Sequence, residues 1–80
     1  MVDPFAPVAA YIQVADLVAA RIASGELRHL MPIPSELHLQ QEYGVSRGTV
    51  RHAVAVLRER GLVFTVQGRG TYVGPPPEGA

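Results

Sequence analysis

The feature that most constrains this chain is the run Gly44-Val45-Ser46-Arg47-Gly48-Thr49-Val50-Arg51. It reads as a tight turn that feeds a helix. Gly44 ends the preceding element, because glycine reaches positive φ at no steric cost. Ser46 is the expected cap, its hydroxyl accepting from a free backbone N–H of the first turn. Beyond it Val50, Ala53, Val54 and Leu57 recur at i, i+3, i+4 and i+7, the spacing of one buried helical face. Arg47 and Arg51 are four residues apart and so share a face roughly 90° round from the apolar one, at ~100° per residue. A helix that starts with paired arginines and small polar residues can meet a phosphate backbone and guanine edges. The stretch is therefore a candidate DNA recognition helix.

The rest of the chain supplies what such a helix needs. A first helix is expected from Val8 to Ser24, with Tyr11, Val14, Ala15, Val18 and Ile22 on one face and Gly25 just past its end. Ala19, Ala20 and Ala23 add small side chains that permit close packing. Glu26 to Pro34 is a connector with a short extended piece, Met31-Pro32-Ile33, which Pro32 confines to a sheet edge. Ser35 caps a brief second helix, Glu36 to Tyr43, with an acid in its positive first turn. Leu39 and Tyr43, one turn apart, face inward. Two residues, Gly44 and Val45, then lead to the cap Ser46 of the next helix, the short connection of a helix-turn-helix. The third helix is expected over Arg47–Arg60, with Gly61 after it and Arg58 and Arg60 at its negative end.

Leu62–Val66 and Thr71–Val73 are strand-like, and Gln67-Gly68-Arg69-Gly70 between them has the composition of a turn, so the pair reads as a hairpin. The fold class expected is mainly α with a small β wing: a winged helix-turn-helix of three helices, a short edge strand and a two-stranded wing. Residues 1–7 read as a frayed, disordered arm, 8–74 as the domain, and 75–80 as a linker or tail.

Eighty residues allow one thin core and leave no room for a separate catalytic domain. There is no cysteine, so neither a disulfide nor a cysteine zinc site holds the fold, which suits a reducing cytosol. No signal peptide or membrane span is legible, and a cytoplasmic protein with no membrane partner is expected. The formal net charge is zero, but it is unevenly spread. Residues 44–73 carry Arg47, Arg51, Arg58, Arg60 and Arg69 against Glu59 alone, whereas residues 1–43 carry five acids against Arg21 and Arg28. The chain is a dipole whose basic end can meet phosphate. All seven cations are arginine, which grips phosphate or guanine with two parallel bonds; a GC-rich genome biases usage the same way.

Within the hairpin tip, Gly68-Arg69-Gly70 lacks the following helix that a phosphate-gripping glycine loop requires. It places an arginine on an exposed turn instead, suited to a minor groove. His52 adjoins Arg51 and is a candidate phosphate contact. His29, His38 and His52 share no short spacing that suggests a metal site, and His38 with Glu42 one turn on supplies only two ligands. No nucleophile–base pair or carboxylate pair stands out. Neither metal, cofactor nor catalysis is expected.

These residues together resemble the N-terminal DNA-binding domain of the GntR family of bacterial transcription regulators. The resemblance runs over about residues 11–73. It rests on Tyr11 with Gln13-Val14-Ala15-Asp16, Ser24-Gly25-Glu26-Leu27, Pro34-Ser35-Glu36, Gly44-Val45-Ser46-Arg47 with Thr49-Val50-Arg51, Gly61-Leu62-Val63, and Gln67-Gly68-Arg69-Gly70-Thr71. It implies that Ser46, Arg47, Thr49 and Arg51 meet the major groove and its flanking phosphates. It further implies that Gln67, Gly68 and Arg69 occupy a wing at the minor groove, and that Ser35 and Glu36 open a supporting helix whose N-terminus donates to a phosphate. Gly48 and Gly70 complete the expected DNA-facing set.

Three departures from the family pattern stand out. Leu37 follows Pro-Ser-Glu where a polar or basic residue is common, and gives that helix no equivalent contact. Gly48 removes a side chain that could read a base, at a helix cost of up to ~1 kcal/mol against alanine. His29-Leu30 replaces a Pro-Gly turn before the edge strand, so a different connector shape is expected. Family members normally continue into an effector-binding domain that also forms the dimer, and this sequence stops just past the wing, as an excised domain or a stand-alone reader would.

The function expected is that of a sequence-specific transcriptional regulator, a repressor, reading a palindromic operator in double-stranded DNA as a homodimer. The competing reading is a winged-helix protein-interaction module without direct DNA readout, which zero net charge also suits.

Overall fold

The structure, a computed structural model, describes residues 2–77. Helices α1 (Ala10–Ala23), α2 (Glu36–Tyr43) and α3 (Arg47–Glu59) are followed by strands β1 (Val63–Val66) and β2 (Gly70–Val73). The two strands pair antiparallel, with Val63 opposite Val73, Phe64 opposite Tyr72 and Thr65 opposite Thr71. This is the winged helix-turn-helix read from the sequence.

The core forms where the helical and strand periodicities converge. Val50, Ala53, Val54 and Leu57 of α3 are buried against Val14, Ala15 and Val18 of α1 and Leu39 and Tyr43 of α2, and Val63 closes the cluster from the wing. Each fully buried valine or leucine contributes roughly 1.5–3 kcal/mol by leaving water. Because all three helices share one small cluster, the orientation of α3 is fixed from two sides. Polar clamps at the rim reinforce it. Arg21 donates to Glu26 at 2.6 Å, to Glu42 at 3.1 Å and to the Tyr43 hydroxyl at 3.1 Å. Burial works against its charge, but the bonds to Tyr43 and Glu26 and the charge of Glu42 outweigh it and hold the guanidinium above its ordinary pKa. Arg60, expected to serve the end of its own helix, instead reaches Asp16 of α1 at 2.8 Å.

The helix bounds follow their caps. Ser35 accepts from the His38 N–H and Ser46 from the Thr49 N–H, so α2 and α3 begin where the serines predict. Gly44, at φ 65°, occupies the left-handed region that the turn between them requires. By contrast α1 starts at Ala10 rather than Val8, because Ala9 offers no side-chain cap. Of the segment read as a frayed arm, Met1 lies outside the described residues and the rest is tied back: Gln13 accepts from the Asp3 N–H and donates to the Asp3 and Val8 carbonyls, and Val2 packs against the core. Of the expected tail, Glu78 to Ala80 lie outside the described residues.

The edge piece is present and extends the wing. Leu30 donates to the Val73 carbonyl, Val73 to that of Met31, and Ile33 to that of Thr71, with Pro32 opposite Tyr72. Pro32 lacks a donor, which an edge position tolerates. The preceding connector keeps a tight turn without Pro-Gly, since the Met31 N–H bonds the Arg28 carbonyl while Leu30 sits at φ 66°. A leucine there is strained where glycine is not. Leu30→Gly is expected to raise stability by about 1 kcal/mol, lifting the melting temperature by about 4–8 °C. Thermal unfolding followed by circular dichroism checks this, and an unchanged or lower midpoint would refute it.

Candidate nucleic-acid interface

Two elements bring exposed arginines toward one groove of the molecule. The first is the start of α3. The Ser46 hydroxyl accepts from the Thr49 N–H at 3.1 Å and donates to the Thr49 hydroxyl at 3.0 Å, so the cap and the threonine are locked to one another. Arg47, Gly48 and Arg51 lie exposed on the first two turns, and Thr49 is half-buried. The second element is the wing tip. The Arg69 N–H closes a turn on the Val66 carbonyl at 3.0 Å, and Gly68 (φ 79°) and Gly70 (φ 132°) flank Arg69 in conformations that L side chains avoid. Gln67 and Arg69 are exposed, and Arg69 makes no ion pair among the described residues.

A groove of about 500 Å³ joins the two, lined among others by Ser35, Glu36, Arg51, Arg58, Thr65 and Arg69. Its charge is arginine-rich, and α2 points its capped N-terminus along one wall. The geometry therefore brings Ser35, Glu36, Arg51, Arg69 and Gly70 together around one opening, with Arg47 beside it through Glu36.

Two of the predicted residues also make contacts within the protein. Glu36 turns toward α3, with its carboxylate 3.4 Å from Arg47 Nε and 3.7 Å from Arg51 Nε. It thus meets two cations from the head of α2. The His52 ring stacks on Tyr11 of α1, centroids 3.6 Å apart and planes 6° from parallel, so one of its faces serves the α1–α3 contact. His38 and Glu42 approach at 3.5 Å, but Glu42 also takes Arg21. Among the described residues, no group of three or more His, Asp or Glu gathers at one place, and no helix is long and apolar enough to cross a membrane.

Sequence reasoning missed Arg58. Its Nη1 donates to the Thr65 hydroxyl at 2.9 Å, and Thr65 shares a 3.0 Å hydrogen bond with Thr71. This bridge ties α3 to both strands of the wing. The signal was present in the paired threonines flanking the turn, which an antiparallel register sets side by side.

The arrangement of a capped arginine-bearing helix beside a glycine-flanked wing matches known proteins over nearly the whole chain. Residues 10–73 match the family described as bacterial regulatory proteins, gntR family. The chain belongs to the GntR family. Among its GntR relatives are the HTH-type transcriptional repressor NagR of Bacillus subtilis, 40% identical over 70 residues that cover 88% of this chain and 29% of NagR. The mannosyl-D-glycerate transport/metabolism system repressor MngR of Escherichia coli is 48% identical over 63 residues, covering 79% of this chain and 26% of MngR. This GntR chain thus spans less than a third of the length of either. Among solved structures, the AraR DNA-binding domain in complex with operator ORE1 superposes with a TM-score of 0.81 at 35% identity, covering 92% of this chain and 90% of that one.

Proposed function

We propose that this chain is the DNA-reading unit of a bacterial transcription regulator, a repressor that occupies an operator in the cytoplasm. The observation that carries the reading is the placement of Arg51 on α3 and of Arg69 on the wing tip along one arginine-lined groove, with Arg47 beside it through Glu36. The start of α3 enters the major groove, where Arg47, Thr49 and Arg51 read base edges and Ser46 organises the helix start. The wing residues Gln67, Gly68, Arg69 and Gly70 follow the adjacent minor groove. Ser35, at the head of α2, offers the free N–H groups of that helix end to a flanking phosphate. The names of NagR, MngR and the AraR–operator complex support this reading. Two copies on an inverted repeat are expected, since symmetric sites mirror symmetric dimers.

Salt dependence tests it. If each copy neutralises about four phosphates, log K for a labelled duplex falls with log salt at a slope of about −3.6 per copy. An affinity for DNA that ignores salt, or no binding at low salt, would overturn the reading. A flat response paired with capture of an apolar protein surface would favour the interaction-module alternative.

A further inference from the structure

We infer that Glu36 is a specificity-determining residue, a carboxylate that shields Arg47 and Arg51 from indiscriminate phosphate capture while leaving them able to grip a guanine. The inference rests on the DNA-reading function proposed above. Glu36 stands in the first turn of α2, across the helix-turn-helix corner from both arginines. Its two oxygens divide between them, Oε1 toward Arg47 and Oε2 toward Arg51, and each contact is made through Nε. Nη1 and Nη2 of each guanidinium therefore remain for a second acceptor, and these are the donors that a bidentate guanine contact uses.

The other acid–arginine pairs among the described residues lie elsewhere. Asp16 holds Arg60 and Glu42 holds Arg21, each tying one helix to another, while Glu26 holds Arg21 from the connector that follows α1. Glu36 alone of the paired acids faces the DNA-reading side, lining the same groove as Arg51 and Arg69.

The physical consequence is a difference between two classes of acceptor. A phosphate drawn to Arg47 or Arg51 comes close to the Glu36 carboxylate and is repelled by it. The O6 and N7 atoms of guanine are neutral acceptors and carry no such penalty. A negative charge at this point thus lowers affinity for any duplex backbone more than it lowers affinity for a duplex with guanine in register. Discrimination arises from that repulsive element as much as from the attractive one.

The test compares wild type and Glu36→Gln by fluorescence anisotropy on two duplexes: one recovered from random DNA by the wild-type chain, and a scramble of it. Glu36→Gln is expected to bind the scramble about fivefold more tightly, with a salt slope steeper by about one, while gaining less than about twofold on the selected duplex. Equal gains on both duplexes, equal losses on both, or no change would overturn the inference. Glu36→Asp keeps the helix-start acid but is one methylene shorter. It is expected to show part of the same loss of discrimination, which guards against a fold defect in Glu36→Gln.

A readout without DNA accompanies these titrations. The side-chain Nε–Hε resonances of Arg47 and Arg51 are expected to move in Glu36→Gln and to stay fixed in Glu59→Gln. Unmoved resonances would overturn the pairing itself. Wild-type protein that binds no duplex while the resonances do move would bring down the DNA-reading function, and the specificity role with it, leaving the ion pairs standing.

Discussion

Leu57→Ala is expected to lower the unfolding free energy by about 3 kcal/mol and the melting temperature by about 12–24 °C. Leu57 is fully buried on α3, in the core cluster that this helix shares with α1, α2 and the first residue of the wing. Removing most of its side chain forfeits the transfer free energy of the lost atoms and leaves a cavity that the surrounding helices fill only in part. The loss is large relative to the whole, since a domain of this size commands about 4–12 kcal/mol. Chemical denaturation and thermal unfolding of the intact chain measure it, and a midpoint within about 4 °C of wild type would show that α3 does not anchor the core as described. DNA binding should fall in step with the folded fraction, with no change in base preference.

Arg51→Ala should do the opposite. The residue is exposed, and its only ion pair among the described residues is the 3.7 Å approach to Glu36, which in solvent is worth little. Stability should therefore stay within about 0.5 kcal/mol of wild type. Affinity for the cognate duplex should fall by about 1–3 kcal/mol, about fivefold to 150-fold, the loss that the proposed bidentate guanine contact entails. Preference at one base pair should relax while the other positions keep theirs. Titration against a panel of single-base variants separates these effects. Uniform weakening across the panel would assign Arg51 to the phosphates instead.

Much of the fold was legible because local signals agreed with one another. Ser35 and Ser46 mark two helix starts, Gly44 marks the corner, and the four apolar residues of α3 repeat at helical spacing; all three features sit where that logic puts them. Where the local signal was weak, the reading drifted. Ala9 carries no capping side chain, so α1 began two residues late, and the first residues looked frayed because nothing in their own sequence reveals that Gln13 folds back to hold Asp3. Leu30 shows the reverse: its sequence argued against the usual turn, yet pairing with Val73 holds it at positive φ.

The site was legible in its donors and opaque in their pairings. Arg47, Arg51 and Arg69 could be picked out by helical phase and by the glycine turn. That Glu36 reaches both α3 arginines, that Arg58 braces the wing through Thr65, and that His52 gives its ring to Tyr11 are contacts between separate elements. Periodicity assigns a residue to a face but does not say which neighbour arrives opposite. Those pairings depend on the crossing of α1, α2 and α3, which only the packed core sets.

The central claim is that α3 and the wing read one DNA site from adjacent grooves. Selection of binding sites from random duplex DNA by the intact chain tests it most directly. Enrichment of a half-site with guanine beneath α3 and a preference in the flanking segment that Arg69→Ala abolishes is the predicted result, with paired half-sites in inverted orientation. Sequences that emerge no different from the starting pool, or a preference that survives unchanged in both Arg51→Ala and Arg69→Ala, would contradict it.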